Sequence, residues 1–241
     1  NYPIEMITDS DGARVIESLN LPYAKISTDL DSISDRVNPS LWAAAKIHTY
    51  GKQNDPFFHI DGDSYVFKRL PYENVGILVQ YTDDNNVGFD KSYPMSDRIG
   101  KELPLKIDGW DKSSSHKMAY CMGIFGGNDI ETIKEYSHQS MKMIISPENE
   151  HFWRQIPSDA IWTANVSMEQ HALYCFLKHK GKTATPILKM EDWPRRFSIG
   201  KDVGFTHLMS RKKDAQQCSR LLERLSSEYP DAMDSVWRLV A

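Results

Sequence analysis

Cysteine is scarce in this chain: Cys121, Cys175 and Cys218 are the only three in 241 residues. Their number is odd, their contexts are apolar and no CxxC spacing occurs. That excludes a disulfide framework or a thiolate zinc site as the organising feature and favours a reducing, cytoplasmic setting. An excess of positive charge is also missing. A net charge of −4 and a pI near 6.1 give no general attraction for nucleic acid or an anionic membrane. Long apolar runs are absent too. The longest weakly polar stretch, Met118 to Gly127, is far too short to cross a bilayer, so no transmembrane segment is expected. There is no signal-peptide pattern, internal repeat or low-complexity tract. What is present is 40% hydrophobic, 26% charged and 11% aromatic residues, the composition of a globular protein with a single domain over 1–241. Asn1 leads almost directly into a strand-like segment, which leaves room for a first strand upstream.

Strand-like and helix-like runs alternate through the first half, so an α/β fold with a mixed sheet flanked by helices is expected. Ile4 to Thr8 reads as a strand, Asp9 to Gly12 as a turn, Ala13 to Leu19 as a helix and Tyr23 to Ile26 as a second strand. Asn38-Pro39 has the form of an N-cap followed by proline at the first helical position, opening a helix to about Tyr50. Val75 to Tyr81 and Tyr120 to Phe125 read as buried strands. Asp83 to Ser115 and Ser146 to Ala164 read as loops. Asn128 or Asp129 caps a helix carrying Ile130, Ile133 and Met141 on one face, Ser167 to about Lys178 is another helix, and a last one runs from Asp214 to a stop at Pro230.

The segment with the most chemistry is Pro56 to Phe67, where one apolar run enters Asp61-Gly62-Asp63 and another leaves it. Carboxylates at i and i+2 on an extended backbone point to the same side, and Gly62 places no side chain between them. They can converge on a hard divalent cation, Mg²⁺ or Mn²⁺, that keeps positions open for phosphate oxygens. Asp-Gly between apolar runs is equally a hairpin-turn signal.

Taken in order, four blocks resemble the GT-A-fold nucleotide-sugar glycosyltransferases, in particular the retaining glycogenin-like and bacterial galactosyltransferase-like families. The first is Lys46 on a helix before Asp61-Gly62-Asp63. The second is Tyr120 to Gly127, with Gly123, Gly126 and Gly127 allowing close backbone approach to a ligand; Cys121 stands where those families often carry Asn. The third is Met168-Glu169-Gln170-His171, with Glu169 for the more usual Asp; Ser167 to Gln170 also has the form of a helix capping box. The fourth is Phe205-Thr206-His207-Leu208 with Arg211-Lys212-Lys213, which lacks the usual intervening Gly and Lys-Pro-Trp ending.

The resemblance implies a Rossmann-like GT-A domain whose nucleotide- and metal-binding half is 1–115 and whose donor-sugar and acceptor half is 116–241. It implies transfer of a sugar from a nucleoside diphosphate donor, a UDP-sugar, to a hydroxyl on a glycan, lipid or protein, with retention. Asp61, Asp63 and His207 would hold Mn²⁺ or Mg²⁺. Lys46, Asp61, Gly126, Gly127 and Lys212 would lie on the donor, and Glu169 and Gln170 near the anomeric carbon. Two other readings compete. Asp9-Ser10-Asp11-Gly12 after an apolar strand looks like a haloacid-dehalogenase-type phosphatase opening, with Asp9 as nucleophile and Asp11 as general acid. A non-catalytic carbohydrate- or protein-binding module would use the many aromatic residues for stacking.

Overall fold

The structure is a computed structural model and describes residues 2–70, 72, 74–84, 89–110, 117–195, 199–208 and 214–240. It is a mixed α/β protein whose chain folds into two compact units: Asn1–Asp35 with Leu208–Ala241, and Arg36–His207.

The first unit begins with β1 (Glu5–Ile7), which pairs in parallel with β2 (Lys25–Ser27). Between them lies α1 (Ser10–Ser18), whose N-cap is Asp9: its side chain accepts a hydrogen bond from the Gly12 amide at 2.7 Å. The short α2 (Asp31–Ser34) follows, and Asp31 accepts hydrogen bonds from the Ser10 amide and hydroxyl.

The second unit opens with α3 (Ala43–Gly51). Asn38 was expected to cap this helix. Instead its side chain closes a local turn with the Ser40 amide, and the helix starts later because Asn165 Oδ1 takes the Ala43 amide while its Nδ2 donates to the Ser40 carbonyl. β3 (Phe57–Ile60) and β4 (Ser64–Val66) flank Asp61-Gly62-Asp63. They do not pair with each other, so the hairpin reading fails: β3 joins the main sheet and β4 pairs antiparallel with β8 (Phe205–His207).

The main sheet has the order β3, β6 (Ala119–Gly127), β5 (Leu78–Asp83), β7 (Thr185–Pro186). β6 is buried along its whole length, as a central strand with near-continuous apolar sequence should be. It runs antiparallel to both neighbours, whereas β5 and β7 are parallel.

The segments read as loops contain helices. Between β5 and β6 lie α4 (Phe89–Ser92) and α5 (Met95–Glu102), which bury Phe89, Met95 and Ile99, with Tyr93 buried in the link between them. After α6 (Ile130–Ile145), capped by Asp129, come α7 (Pro147–Arg154) and α8 (Ile161–Val166). α8 continues through a π-helical turn, Ser167–His171, into α9 (Ala172–His179). Ser167 therefore lies inside a helix, and no capping box forms there. Helices α3 and α6 approach closely: the Ser137 hydroxyl donates to the Ile47 carbonyl, and a Cβ at Gly51 would overlap that hydroxyl.

After α10 (Gly200–Val203) and β8, the first unit is completed by α11 (Ala215–Glu228) and α12 (Pro230–Val240). Pro230 opens α12 at its first position, where its missing N–H costs nothing, as well as ending α11. Among the described residues, no helix is long and apolar enough to cross a membrane.

Candidate metal centre

Asp61-Gly62-Asp63 forms a tight turn, with the Ser64 amide donating to the Asp61 carbonyl, where the chain passes from the main sheet to the β4–β8 ladder. Its position is fixed from β6: the Asp61 amide donates to the Gly123 carbonyl at 2.9 Å. β8 pairs with β4 in the register Ser64↔His207, which brings an imidazole from far along the chain beside the turn. His207 Nε2 lies 3.1 Å from Asp63 Oδ1. Ligand atoms of Asp61, Asp63 and His207 all fall within 4.8 Å of one another.

Lys46 on α3 reaches the same place. Its ammonium sits 2.8 Å from Asp61 Oδ1 and 2.8 Å from Glu169 Oε1. Burial pulls the pKa of this lysine down; Glu169 and Asp61 outweigh it and hold the amine above the ordinary lysine range. Burial likewise opposes the Asp61 carboxylate, yet the hydrogen bond from His59 and the charge of Lys46 hold it well below the usual carboxylate range. For His207 burial prevails over Asp63 and Asp61, and its pKa is lowered.

Glu169 is set behind Lys46. Its side chain has no exposure, whereas Asp61 and Asp63 keep 22% and 21% of theirs, so only the aspartates are open to a ligand. Glu169 Oε1 also accepts from the Tyr50 hydroxyl at 2.8 Å, its Oε2 has no hydrogen-bond partner among the described residues, and Tyr136 donates to its main-chain carbonyl. The π turn that carries Glu169 is a helix irregularity of the kind found at functional sites. Gln170, the more open neighbour, lies with Oε1 2.6 Å from the Tyr93 hydroxyl, which donates to Asp83 Oδ2.

The donor set suits a divalent ion. Two carboxylates and an imidazole are ligands for Mn²⁺ and similar ions. Asp61, Asp63 and Glu169 bring three carboxylates to one place, and the Lys46 ammonium is shared between Asp61 and Glu169.

The remaining residues singled out from the sequence fall elsewhere. A Cβ at Gly126 or Gly127 would overlap the backbone of Phe57 or Gly76, so these glycines serve close strand packing. Gly123 is the one at the centre: a Cβ there would overlap Gln80 Oε1 and His207 Nδ1. Lys212 lies outside the described residues. In the first unit Asp9 caps α1, and Asp11 pairs with Arg14 on its exposed face. His59, Gln80, Tyr50 and Tyr93 were missed. His59 could have been found at i−2 from Asp61, on the same side of the strand, and Gln80 as the lone amide inside Ile77 to Tyr81.

Residues 1–239 match the profile of a family of unknown function, DUF6734, and the chain belongs to that family. No curated protein and no solved structure gives a match.

Proposed function

We propose that the protein is a metal-dependent glycosyltransferase of the GT-A type. It would transfer a sugar from a nucleoside diphosphate donor, a UDP-sugar, to a hydroxyl acceptor with retention. The observation that carries this reading is the meeting of Asp61, Asp63 and His207, with Lys46 held on Asp61. When bound, Mn²⁺ or Mg²⁺ would be held by those three residues and would supply positive charge against the leaving diphosphate.

The chain's own residues add to that. An ammonium has three N–H donors; Asp61 and Glu169 take two of Lys46's, and the third is left for a phosphate oxygen. Because Lys46 is held charged and in place before substrate arrives, its stabilisation of the leaving group needs no reorganisation. Glu169 works through Lys46 by fixing its position. Gln170, beside Tyr93 and partly exposed, is the group of the pair suited to face the sugar. A reducing, cytoplasmic setting suits the three free thiols.

Calorimetry with UDP and Mn²⁺ tests the reading. Wild type should bind UDP only with the metal, and Asp63→Asn or Asp61→Asn should lose both metal-dependent binding and donor hydrolysis. Equal UDP binding and full turnover in both variants, with chelator in excess, would sink the proposal.

A further inference from the structure

The imidazole of His207 has two nitrogens, and only one can face the centre as a ligand. The other, Nδ1, lies 2.7 Å from Gln80 Oε1. Gln80 stands on β5, with 1% of its surface exposed, in a strand that is otherwise apolar from Leu78 to Val79. A buried carboxamide there costs free energy unless it is hydrogen-bonded. Its oxygen has two acceptor sites and two donors aimed at it, His207 Nδ1 and, at 3.6 Å, the buried thiol of Cys121. With the oxygen turned this way both are satisfied when the ring proton of His207 is on Nδ1. The lone pair of Nε2 then faces Asp63 Oδ1 at 3.1 Å.

The backbone is shaped around the same contact. The register of β5 on β6 shifts between Val79, opposite Phe125, and Tyr81, opposite Cys121, so the irregular part of β6 lies across from Gln80. Bulges of this kind re-aim side chains and are over-represented beside active sites. Gly123 lies in that stretch, gives its carbonyl to the Asp61 amide, and leaves clear the space that Gln80 and His207 fill.

We propose that Gln80 is a positioning residue that locks His207 in the Nδ1–H tautomer, with Nε2 presented as a metal ligand. This rests on the metal reading above. Partners of this outer kind fix ring orientation and raise ligand basicity, and their loss typically weakens metal affinity by about 10- to 100-fold.

Two measurements on the full chain separate this inference from the reading beneath it. In metal-free wild type, ¹⁵N-detected histidine spectra, with His207 assigned by its loss in His207→Asn, should show the Nδ1–H tautomer. Calorimetry with Mn²⁺ alone should show Gln80→Leu binding about 10- to 100-fold more weakly than wild type. Gln80→Glu, which keeps an acceptor for Nδ1–H, should recover most of the loss. An Nε2–H tautomer in a wild type that binds Mn²⁺, or Mn²⁺ affinity unchanged in folded Gln80→Leu, would overturn the role of Gln80 alone. A wild type with the Nδ1–H tautomer and no Mn²⁺ binding would sink the metal reading, and with it this use of the lock.

Discussion

Asp83 is a carboxyl at the end of β5 with 5% of its surface exposed. Burial raises its pKa from 3.8 to about 6, against the lowering effect of the Tyr93 hydrogen bond and with a further push from Asp84. The consequence for stability has a definite sign. Between the unfolded and folded values the unfolded chain has released its proton while the folded protein keeps it. Stability contributed at this site is therefore present at low pH and lost as pH rises through that window. Above it the penalty reaches at most about 3 kcal/mol, from a difference of roughly two pKa units. Asp83→Asn keeps an acceptor for Tyr93 and removes the charge. It should raise the thermal midpoint at a pH of about 7.5 and give no gain at about pH 4. An equal gain at both would show that the buried ionisation is not the cause. Tyr93 itself is held protonated by its burial and by Asp83, so it remains a donor throughout.

The continuous helix from Ile161 to His179, interrupted by the π turn at Ser167–His171, ties several elements together through one residue. Glu169 joins Lys46 and Tyr50 of α3, and Tyr136 of α6 bonds to its carbonyl. Glu169→Gln keeps an acceptor for Tyr50 but strips a charge partner from a buried ammonium. Removing one partner of a buried pair costs about 3–5 kcal/mol when the other charge is left alone; Asp61 stays on Lys46 here, so a smaller loss of about 1–3 kcal/mol is expected. Chemical denaturation should show a loss of that order with an unchanged far-UV spectrum. Gln170→Ala should cost much less, because Tyr93 still donates to Asp83. A Glu169→Gln variant as stable as Gln170→Ala would mean that the Lys46 bridge contributes little. The elements themselves were unequally legible. Strands β1, β3, β5 and β6 and helix α6 follow from apolar runs and a capping aspartate. Helices α4 and α5 were hidden because Phe89 and Tyr93, and then Met95 and Ile99, stand among Asp, Lys, Ser and Pro, so two four-residue apolar spacings were masked by polar composition. The start of α3 depends on Asn165, and no local pattern near Asn38 carries that information. The π turn left no local signal either, and Ser167 with Gln170 mimicked a cap.

At the scale of the whole molecule, every residue of the candidate centre lies in the Arg36–His207 unit, although its parts are spread along the sequence. Asp61 and Asp63 were legible as a pair because their chemistry is local. His207 needed the later block for its suggestion, and only the β4–β8 register explains why it arrives there. Gln80 needed the sheet. This distribution makes a prediction about where metal binding is felt. A ligand that binds only the folded state stabilises it by RT ln(1 + [L]/Kd), about 2.7 kcal/mol at a hundredfold excess over Kd. The ligating groups sit on the β3–β4 turn and β8, backed by β5 and β6, so the added protection belongs to those strands. Hydrogen exchange with saturating Mn²⁺ should slow amides in Phe57–Val66, Leu78–Asp83, Ala119–Gly127 and Phe205–His207. Exchange in α1 and α11, which belong to the other unit, should change little. The slowing should disappear in Asp63→Asn. If Mn²⁺ protected both units alike, or protected Asp63→Asn as well as wild type, the ion would be acting away from this centre.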